Sequence, residues 1–74
     1  MQSLPIAYYK GFALIDEMYP DDDGFYKHTF YCQDETQPGI TIEIPGMSSY
    51  ETFENAVDLF NKFVDNIIST QENQ

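Results

Sequence analysis

The apolar stripe between Ser48 and Ser69 is the feature that most constrains how this chain folds. Apolar residues recur there at the three- and four-residue spacing of one helical face, namely Phe53, Ala56, Val57, Phe60, Phe63, Val64, Ile67 and Ile68. Ser48 and Glu51 match an S-x-x-E capping box, which predicts that the helix begins at Ser49. A helix from Ser49 to Ser69 would be about 31 Å long. Because a stripe of that length must be buried, we expect the residues before it to form its cover.

The upstream half of the chain predicts three β-strands separated by two turns. Residues 8–18 and 25–33 are rich in aromatic and β-branched side chains, and residues 40–44 alternate isoleucine with polar residues. Residues 20–24 and 34–39 combine proline, aspartate and glycine, which are the residues that tight turns require. Three isoleucines of the third strand are therefore expected on one core-facing side, namely Ile40, Ile42 and Ile44.

These elements predict a single small α+β domain over residues 1–74. Its architecture would be a three-stranded antiparallel meander with one long C-terminal helix packed on one face, in the order β-β-β-α. Residues 1–7 would be a lead-in, and residues 70–74 a frayed polar tail. Both faces of the first strand carry apolar side chains, so the sequence leaves open whether Phe12 and Leu14 or their chain neighbours point to the helix.

The charge balance limits the partners of this domain. Thirteen acidic residues against three basic ones give a net charge of −10, while six Tyr and six Phe argue for a folded rather than a disordered chain. An acidic folded surface repels nucleic acid and anionic lipid and favours a basic protein partner. Two interpretations stay open: the acidity forms a binding surface, or it serves solubility.

The candidate partner-binding residues are two sets of acidic side chains. The first set lies on the outer face of the predicted helix and comprises Glu51, Asp58, Asp65 and, beside them, Glu54. The first three recur every seven residues, a spacing that Glu72 continues. The second set lies in the two turns and comprises Asp21, Asp22, Asp23, Asp34 and Glu35. The helix row provides one acid about every 10.5 Å, whereas each DNA strand presents a phosphate about every 3.4 Å. A nucleic-acid mimic would therefore need both sets on one side of the molecule.

A second candidate surface is apolar. Three strands with one helix leave one sheet face uncovered, which predicts a homodimer through that face or through an edge strand. The candidate self-association residues are Phe25, Tyr26, Phe30, Tyr31 and Leu59.

The sequence argues against an enzyme and against a bound cofactor or metal. His28 and Cys32 are the one histidine and the one cysteine, and four residues along a strand separate them by about 13 Å. That distance is too long for a shared metal ion or for a Cys–His nucleophile pair. A calcium-binding EF-hand that uses the acidic turn would place Tyr19 and Phe30 at ligand positions, and neither can chelate.

The expected location is the cytoplasm. The single cysteine rules out an internal disulfide, and the chain has no apolar run approaching the roughly 18 residues of a membrane span. The N-terminal residues lack the basic start and the long apolar stretch of a signal peptide.

Short motifs carry a resemblance to known groups of proteins. With Lys10-Gly11-Phe12 in the first strand and a serine cap followed by an aromatic residue at 49–53, the chain resembles a group of small uncharacterised bacterial β-β-β-α proteins. Pro45-Gly46 before the helix resembles the corresponding part of HicB-type antitoxins. In length, acidity and lack of catalytic residues, the chain is similar to phage-encoded inhibitors such as anti-CRISPR and anti-restriction proteins. These resemblances imply a binding role and bring no catalytic residue with them.

Three functions are compatible with these observations. The first is a non-enzymatic module that presents its acidic surface to a basic or nucleic-acid-binding site on a partner, as an inhibitor would. The second is a small self-associating structural or accessory domain. The third is an antitoxin-like partner of a basic toxin.

Overall fold

The fold is α+β, with a four-stranded antiparallel sheet and one C-terminal helix packed on one of its faces. The computed structural model describes residues 2–72, with the side chains of residues 3–71. The strands follow one another in the sheet in chain order, each paired with the next. The elements are β1 (Gln2–Tyr9), β2 (Phe12–Pro20), β3 (Tyr26–Asp34), β4 (Thr41–Glu43) and α1 (Phe53–Glu72).

The predicted number of strands was wrong because the expected first strand is in fact a hairpin. Residues 2–7 are part of β1 rather than a lead-in, and all of them except Ile6 pair with β2. The chain reverses at Lys10 and Gly11, whose φ angles are 49° and 85°. Positive φ at both central residues is the mark of a type I′ turn, whose twist matches that of the two flanking strands. A lysine in this conformation is uncommon, so the turn carries none of the usual Asn-Gly or Asp-Gly signal.

The strand register decides which side of the sheet faces the helix. Leu14 of β2 lies opposite Cys32 of β3, and both side chains are buried in the core. The side that carries them is called the helix-facing side here, and the other is the open side. The core consists of Leu14, Phe30, Cys32, Ile44, Ala56, Phe60 and Val64. Ala13 and Ile15 therefore lie on the open side, since successive residues of a strand alternate between its two faces.

The helix begins at Phe53, four residues later than the capping box predicts. Thr52 is the N-cap, because its hydroxyl accepts a hydrogen bond from the Asn55 amide at 3.2 Å and its carbonyl accepts one from Ala56 at 2.9 Å. The Ser48–Glu51 motif forms a separate turn, in which the Ser48 amide donates to the Glu51 carboxylate at 3.4 Å. Phe53, expected in the core stripe, is 62% exposed.

At its other end the helix continues through Glu72, so residues 70–72 are helical rather than frayed. Residues 73–74 of the predicted tail lie outside the described residues. Within residues 2–72, no helix is long and apolar enough to cross a bilayer.

The third expected strand is shorter than its isoleucine pattern suggests. β4 has three residues, and Ile44 beyond its end is the one isoleucine of the three that is buried, at 4% exposure. Ile40 and Ile42 are 53% and 48% exposed. Ile42 lies opposite Cys32 and so shares the helix-facing side, but its position in the edge strand leaves it half uncovered.

Candidate binding surfaces

The first candidate surface is the acidic outer face of α1. Glu54, Asp58 and Asp65 are spaced by four and seven residues and are all exposed, so they share one flank of the helix. The predicted row of acids at seven-residue spacing is shorter than expected, because Glu51 precedes the helix. The side chain of Glu72, its expected last member, lies outside the described residues.

Two lysines partly neutralise this row. Lys62 lies 3.2 Å from the Asp58 carboxylate, one helical turn away, and Lys10 lies 2.9 Å from that of Asp65. The Tyr9 hydroxyl also donates to Asp65, at 3.1 Å. The hydrogen bond from Lys10 holds the pKa of the Asp65 carboxyl below its ordinary value. Because these pairs are exposed to solvent, their main effect is to reduce the charge that the row presents rather than to stabilise the fold.

The acidic turn between β2 and β3 is fastened to the segment before the helix. One carboxylate oxygen of Asp21 accepts hydrogen bonds from the amides of Asp23 and Phe25, at 2.9 and 3.0 Å. The other oxygen accepts one from the Tyr50 hydroxyl at 2.8 Å, and this bond lowers the pKa of Asp21. Asp22 and Asp23 are exposed at the tip of the turn. Tyr50 adjoins Glu51 in the chain, so this turn lies at the N-terminal end of the helix.

The acidic turn between β3 and β4 is fastened to the opposite end of the sheet. Asp34 accepts hydrogen bonds from the Thr36 hydroxyl at 2.7 Å and the Thr36 amide at 2.9 Å, which together lower the pKa of its carboxyl. The amide of Glu35 donates to the carbonyl of Gly11 at 3.1 Å. Lys10, beside Gly11, contacts Asp65, so this turn lies near the C-terminal half of α1.

The predicted acidic residues are therefore distributed along the length of the molecule. The two turns lie at opposite ends of β3, about 26 Å apart for eight residue steps. Tyr50 links one turn to the start of α1, and the contacts of Gly11 and Lys10 link the other turn to Asp65. The structure thus brings each turn close to one part of the helix row, a relation that the sequence does not reveal.

The predicted self-association residues lie in different places. Phe30 is 4% exposed and belongs to the core, so it is not part of the surface. Tyr31 lies on the open side and is half-buried, whereas Phe25 and Tyr26 are 68% and 59% exposed at the end of the β2–β3 hairpin. Leu59 is half-buried on the flank of α1 that also carries Phe63 of the next turn.

The open side of the sheet has a partly apolar centre and acidic neighbours. Ile15 pairs with Tyr31, and both are half-buried, while Ala13 beside them is 1% exposed. Burial, together with the nearby carboxylates of Glu17 and Glu43, raises the pKa of the Tyr31 phenol. A partner on this side would meet a small apolar patch with acidic groups at its edge.

A groove between β4 and α1 is a surface that the sequence analysis missed. One cavity of about 530 Å³ is lined by Pro45, Phe63, Asn66, Ile67, Thr70 and Gln71. A second cavity, of about 190 Å³, shares Ile67 and Gln71 and is lined in addition by Phe12, Cys32, Asp34, Gln37, Ile40 and Ile42. We call the two together the β4–α1 groove. The alternation of isoleucines in residues 40–44 predicts that all three are buried. Because β4 has only three residues, Ile40 and Ile42 stay exposed and line the groove instead.

A second feature missed from the sequence is a polar pair at the edge of the core. His28 Nδ1 lies 2.8 Å from a carboxylate oxygen of Asp16, which is 9% exposed, and the imidazole stacks on Phe30 with ring centroids 5.8 Å apart. The His28 amide donates to the Ser49 carbonyl at 2.9 Å. Asp16 follows Phe12 and Leu14 at two-residue spacing, so it lies on the same face of β2 as they do. Once that face is known to be the core face, the sequence predicts that Asp16 is buried and needs a polar partner.

The single cysteine, which the sequence analysis considered together with His28, lies in the core. Cys32 is 2% exposed, and burial raises the pKa of its thiol to about 11, so it is protonated at neutral pH and a weak nucleophile. Among the described residues, no group of three or more His, Cys, Asp or Glu side chains could hold a metal ion. The interpretation of the chain as a non-enzyme without a cofactor stays a prediction.

No protein-family model matches the chain, and comparisons with curated proteins and with solved structures give no significant match. The resemblances drawn from short motifs therefore stay expectations.

Proposed function

We propose that this chain is a non-enzymatic protein-binding module whose acidic surface occupies a basic or nucleic-acid-binding site on a partner protein, as an inhibitor would. It acts in the cytoplasm and binds neither nucleic acid nor membrane directly. The observation that carries the proposal is the placement of the two acidic turns, each tied by hydrogen bonds near one part of the acidic helix face. A basic surface about 26 Å long could then contact both turns at once. An antitoxin that binds a basic toxin would be one form of such a module.

The protonation behaviour of the acidic groups supports this function. The pKa values of Asp21, Asp34 and Asp65 are lowered by hydrogen bonds from Tyr50, Thr36 and Lys10, respectively. These carboxylates are therefore ionised throughout the physiological pH range. Attraction to a basic partner then depends on ionic strength rather than on pH, because salt screens exposed charges.

The turns are expected to matter more than the helix row. Asp58 and Asp65 each contact a lysine of the same chain, whereas Asp22, Asp23 and Glu35 are exposed at the turns. A basic partner has to displace or repel Lys62 and Lys10 at the row. At the tips of the turns, Asp22, Asp23 and Glu35 form no salt bridge within the described residues, although Lys27 acts on the neighbouring Asp21. This difference points to the acidic turns as the main electrostatic contacts.

The test compares two variants of equal net charge. Asp22→Asn with Asp23→Asn removes two charges from a turn without touching Asp21, which holds the turn together. Ser3→Lys with Ser69→Lys adds two positive charges at exposed positions outside both turns. Binding of a fluorescently labelled oligolysine is measured by anisotropy at low and high salt.

We expect affinity to fall steeply with salt and the turn variant to bind several-fold more weakly than its control. Equal loss in both variants would show that only net charge matters, and binding that ignores salt would refute the acidic-surface function altogether. For a basic partner isolated with the chain from cell extract, we further expect the chain to compete with nucleic acid.

A self-associating accessory domain is the second candidate function. The half-buried Ile15 and Tyr31 on the open side favour it, because a second copy would cover them.

A further inference from the structure

The two edges of the sheet differ in their capacity to accept another strand. β1, at one edge, contains Pro5, which has no N–H, and an irregularity of register between Pro5 and Ala7. Both are features that discourage strand addition. β4, at the other edge, is regular over its three residues. Addition of a strand is therefore favoured at β4.

The main chain of β4 has hydrogen-bonding groups that point away from the sheet. The Ile44 amide donates to the Phe30 carbonyl at 3.0 Å, so the main-chain N–H of Ile44 points toward β3. In an antiparallel pair, alternate residues bond to the neighbouring strand, so Ile42 also faces β3. The N–H and C=O groups of Thr41 and Glu43 consequently point outward, where an extended segment can bond to them.

The β4–α1 groove would receive half of the side chains of such a segment. Residues of a strand alternate between the two faces of a sheet, so every second side chain beside β4 would point to the helix-facing side. There the cavity of about 530 Å³ is lined by the apolar side chains of Pro45, Phe63 and Ile67. Ile42, 48% exposed, borders the adjoining cavity. Apolar side chains at alternate positions fit these surroundings.

The remaining side chains of the segment would lie on the open side, beside acidic groups. Glu43 of β4 pairs with Tyr31 on that side, and Glu17 is close enough to act on the same phenol. Asp34 lines the groove, and none of the residues that line its two cavities in the described part of the chain is a lysine. Charge complementarity therefore favours basic side chains, and it disfavours a second copy of a chain whose net charge is −10.

We infer that the β4–α1 groove binds an extended segment of a partner protein in which apolar and basic residues alternate, and that this segment pairs with β4 as a fifth strand. The inference rests on the proposed function and names the part of the basic partner that is recognised. Main-chain hydrogen bonds to β4 would give affinity, and the groove would select the alternating pattern.

The probe is a synthetic peptide of about eight residues, the length of a longer strand, in which valine and lysine alternate. A peptide of the same composition with all lysines at one end is its control. Thr70→Trp fills the groove from the helix, while Ser69→Trp adds the same side chain one residue away, about 100° around the helix. Neither substitution changes the net charge, and both positions are exposed. Amide hydrogen exchange reports directly on the main chain of β4.

We expect the alternating peptide to bind about tenfold more tightly than the block peptide, a difference of about 1.4 kcal/mol. Thr70→Trp should abolish this preference while Ser69→Trp keeps it, and the peptide should slow exchange at the Thr41 and Glu43 amides. Equal binding of both peptides with the expected salt dependence would overturn the inference that the groove binds an alternating segment, but it would leave the acidic-surface function standing. Binding of neither peptide would overturn both. Protection of Thr41 and Glu43 that rises with protein concentration alone would identify a second copy as the occupant and overturn the inference.

Discussion

The two sides of the same sheet differ more than their sequences suggest. On the helix-facing side, Leu14 and Cys32 lie opposite each other and are almost completely buried under α1. On the open side, the next pair along, Ile15 and Tyr31, is only half-buried. Both pairs consist of apolar or weakly polar side chains at the centre of the sheet. For these two pairs, the difference in burial therefore comes from the helix, whereas a small side chain such as Ala13 is covered by its neighbours on the open side as well.

This comparison shows what a single helix can and cannot do for a four-stranded sheet. It covers the centre of one side, where the core is apolar. Toward the N-terminal end of α1 the same side carries the Asp16–His28 pair instead of an apolar contact. The helix does not cover the groove beside β4 or the open side, which are left to solvent or to partners. Three experiments test the difference between the two sides of the sheet.

The largest effect is expected from truncation of one chain neighbour on each side. Leu14→Ala removes a side chain with no exposed surface and should lower the free energy of unfolding by about 2–5 kcal/mol. Ile15→Ala, on the half-exposed open side, should cost about 1–2 kcal/mol. Urea denaturation of both variants measures the difference. Equal losses in dilute protein would mean that the open side is buried as deeply as the helix-facing side.

An intermediate effect is expected from the polar pair on the helix-facing side. Asp16→Ala leaves His28 without its partner at a largely buried position, which should cost about 1–3 kcal/mol. The double substitution Asp16→Leu with His28→Leu should recover part of that loss, because apolar replacements need no partner. A double variant that is less stable than Asp16→Ala would show that the pair stabilises the fold beyond satisfying its own polar groups.

The smallest effect is expected from association through the open side. We expect a weak homodimer, with a dissociation constant of about 100 μM, because acidic groups beside Tyr31 repel those of a second copy. Added salt should strengthen the dimer by screening this repulsion. Sedimentation of the wild-type chain and of Ile15→Lys measures it, with Ser69→Lys, at an exposed position of α1, as the control of equal charge. A wild-type chain that is monomeric at and above about 100 μM would exclude this second function.

The sequence predicted the elements that depend on a repeated pattern. The spacing of apolar residues from Ala56 to Ile68 correctly placed the helix and its buried face, since many positions contribute to one period. The acidic turn was also predicted, at residues 20–24, and residues 21–25 connect β2 to β3, with Asp21 accepting hydrogen bonds from two local amides. Both predictions depend only on residues that are close together in the chain.

The features that the sequence missed depend on single residues or on distant ones. The turn at Lys10 and Gly11 lies inside a run of strand-forming residues, so nothing in the local pattern separates β1 from β2. Two capping motifs precede the helix, and the tertiary structure uses Thr52 rather than Ser48. The β4–α1 groove exists because a three-residue strand lies beside a twenty-residue helix, a mismatch of lengths that only the assembled fold reveals.

The order of the strands has a consequence for how rapidly this chain folds. Every strand pairs with its neighbour in the chain, across connections of two, five and six residues. The entropy lost on closing such short loops is small, and proteins rich in local contacts fold faster than those whose strands meet across long separations. The sheet can therefore form by successive hairpins, and the docking of α1 onto β1 is the step that joins the most distant parts of the chain. We expect refolding to be limited by that docking, so that Phe60, on the helix, governs the rate more strongly than any residue of the hairpin turns.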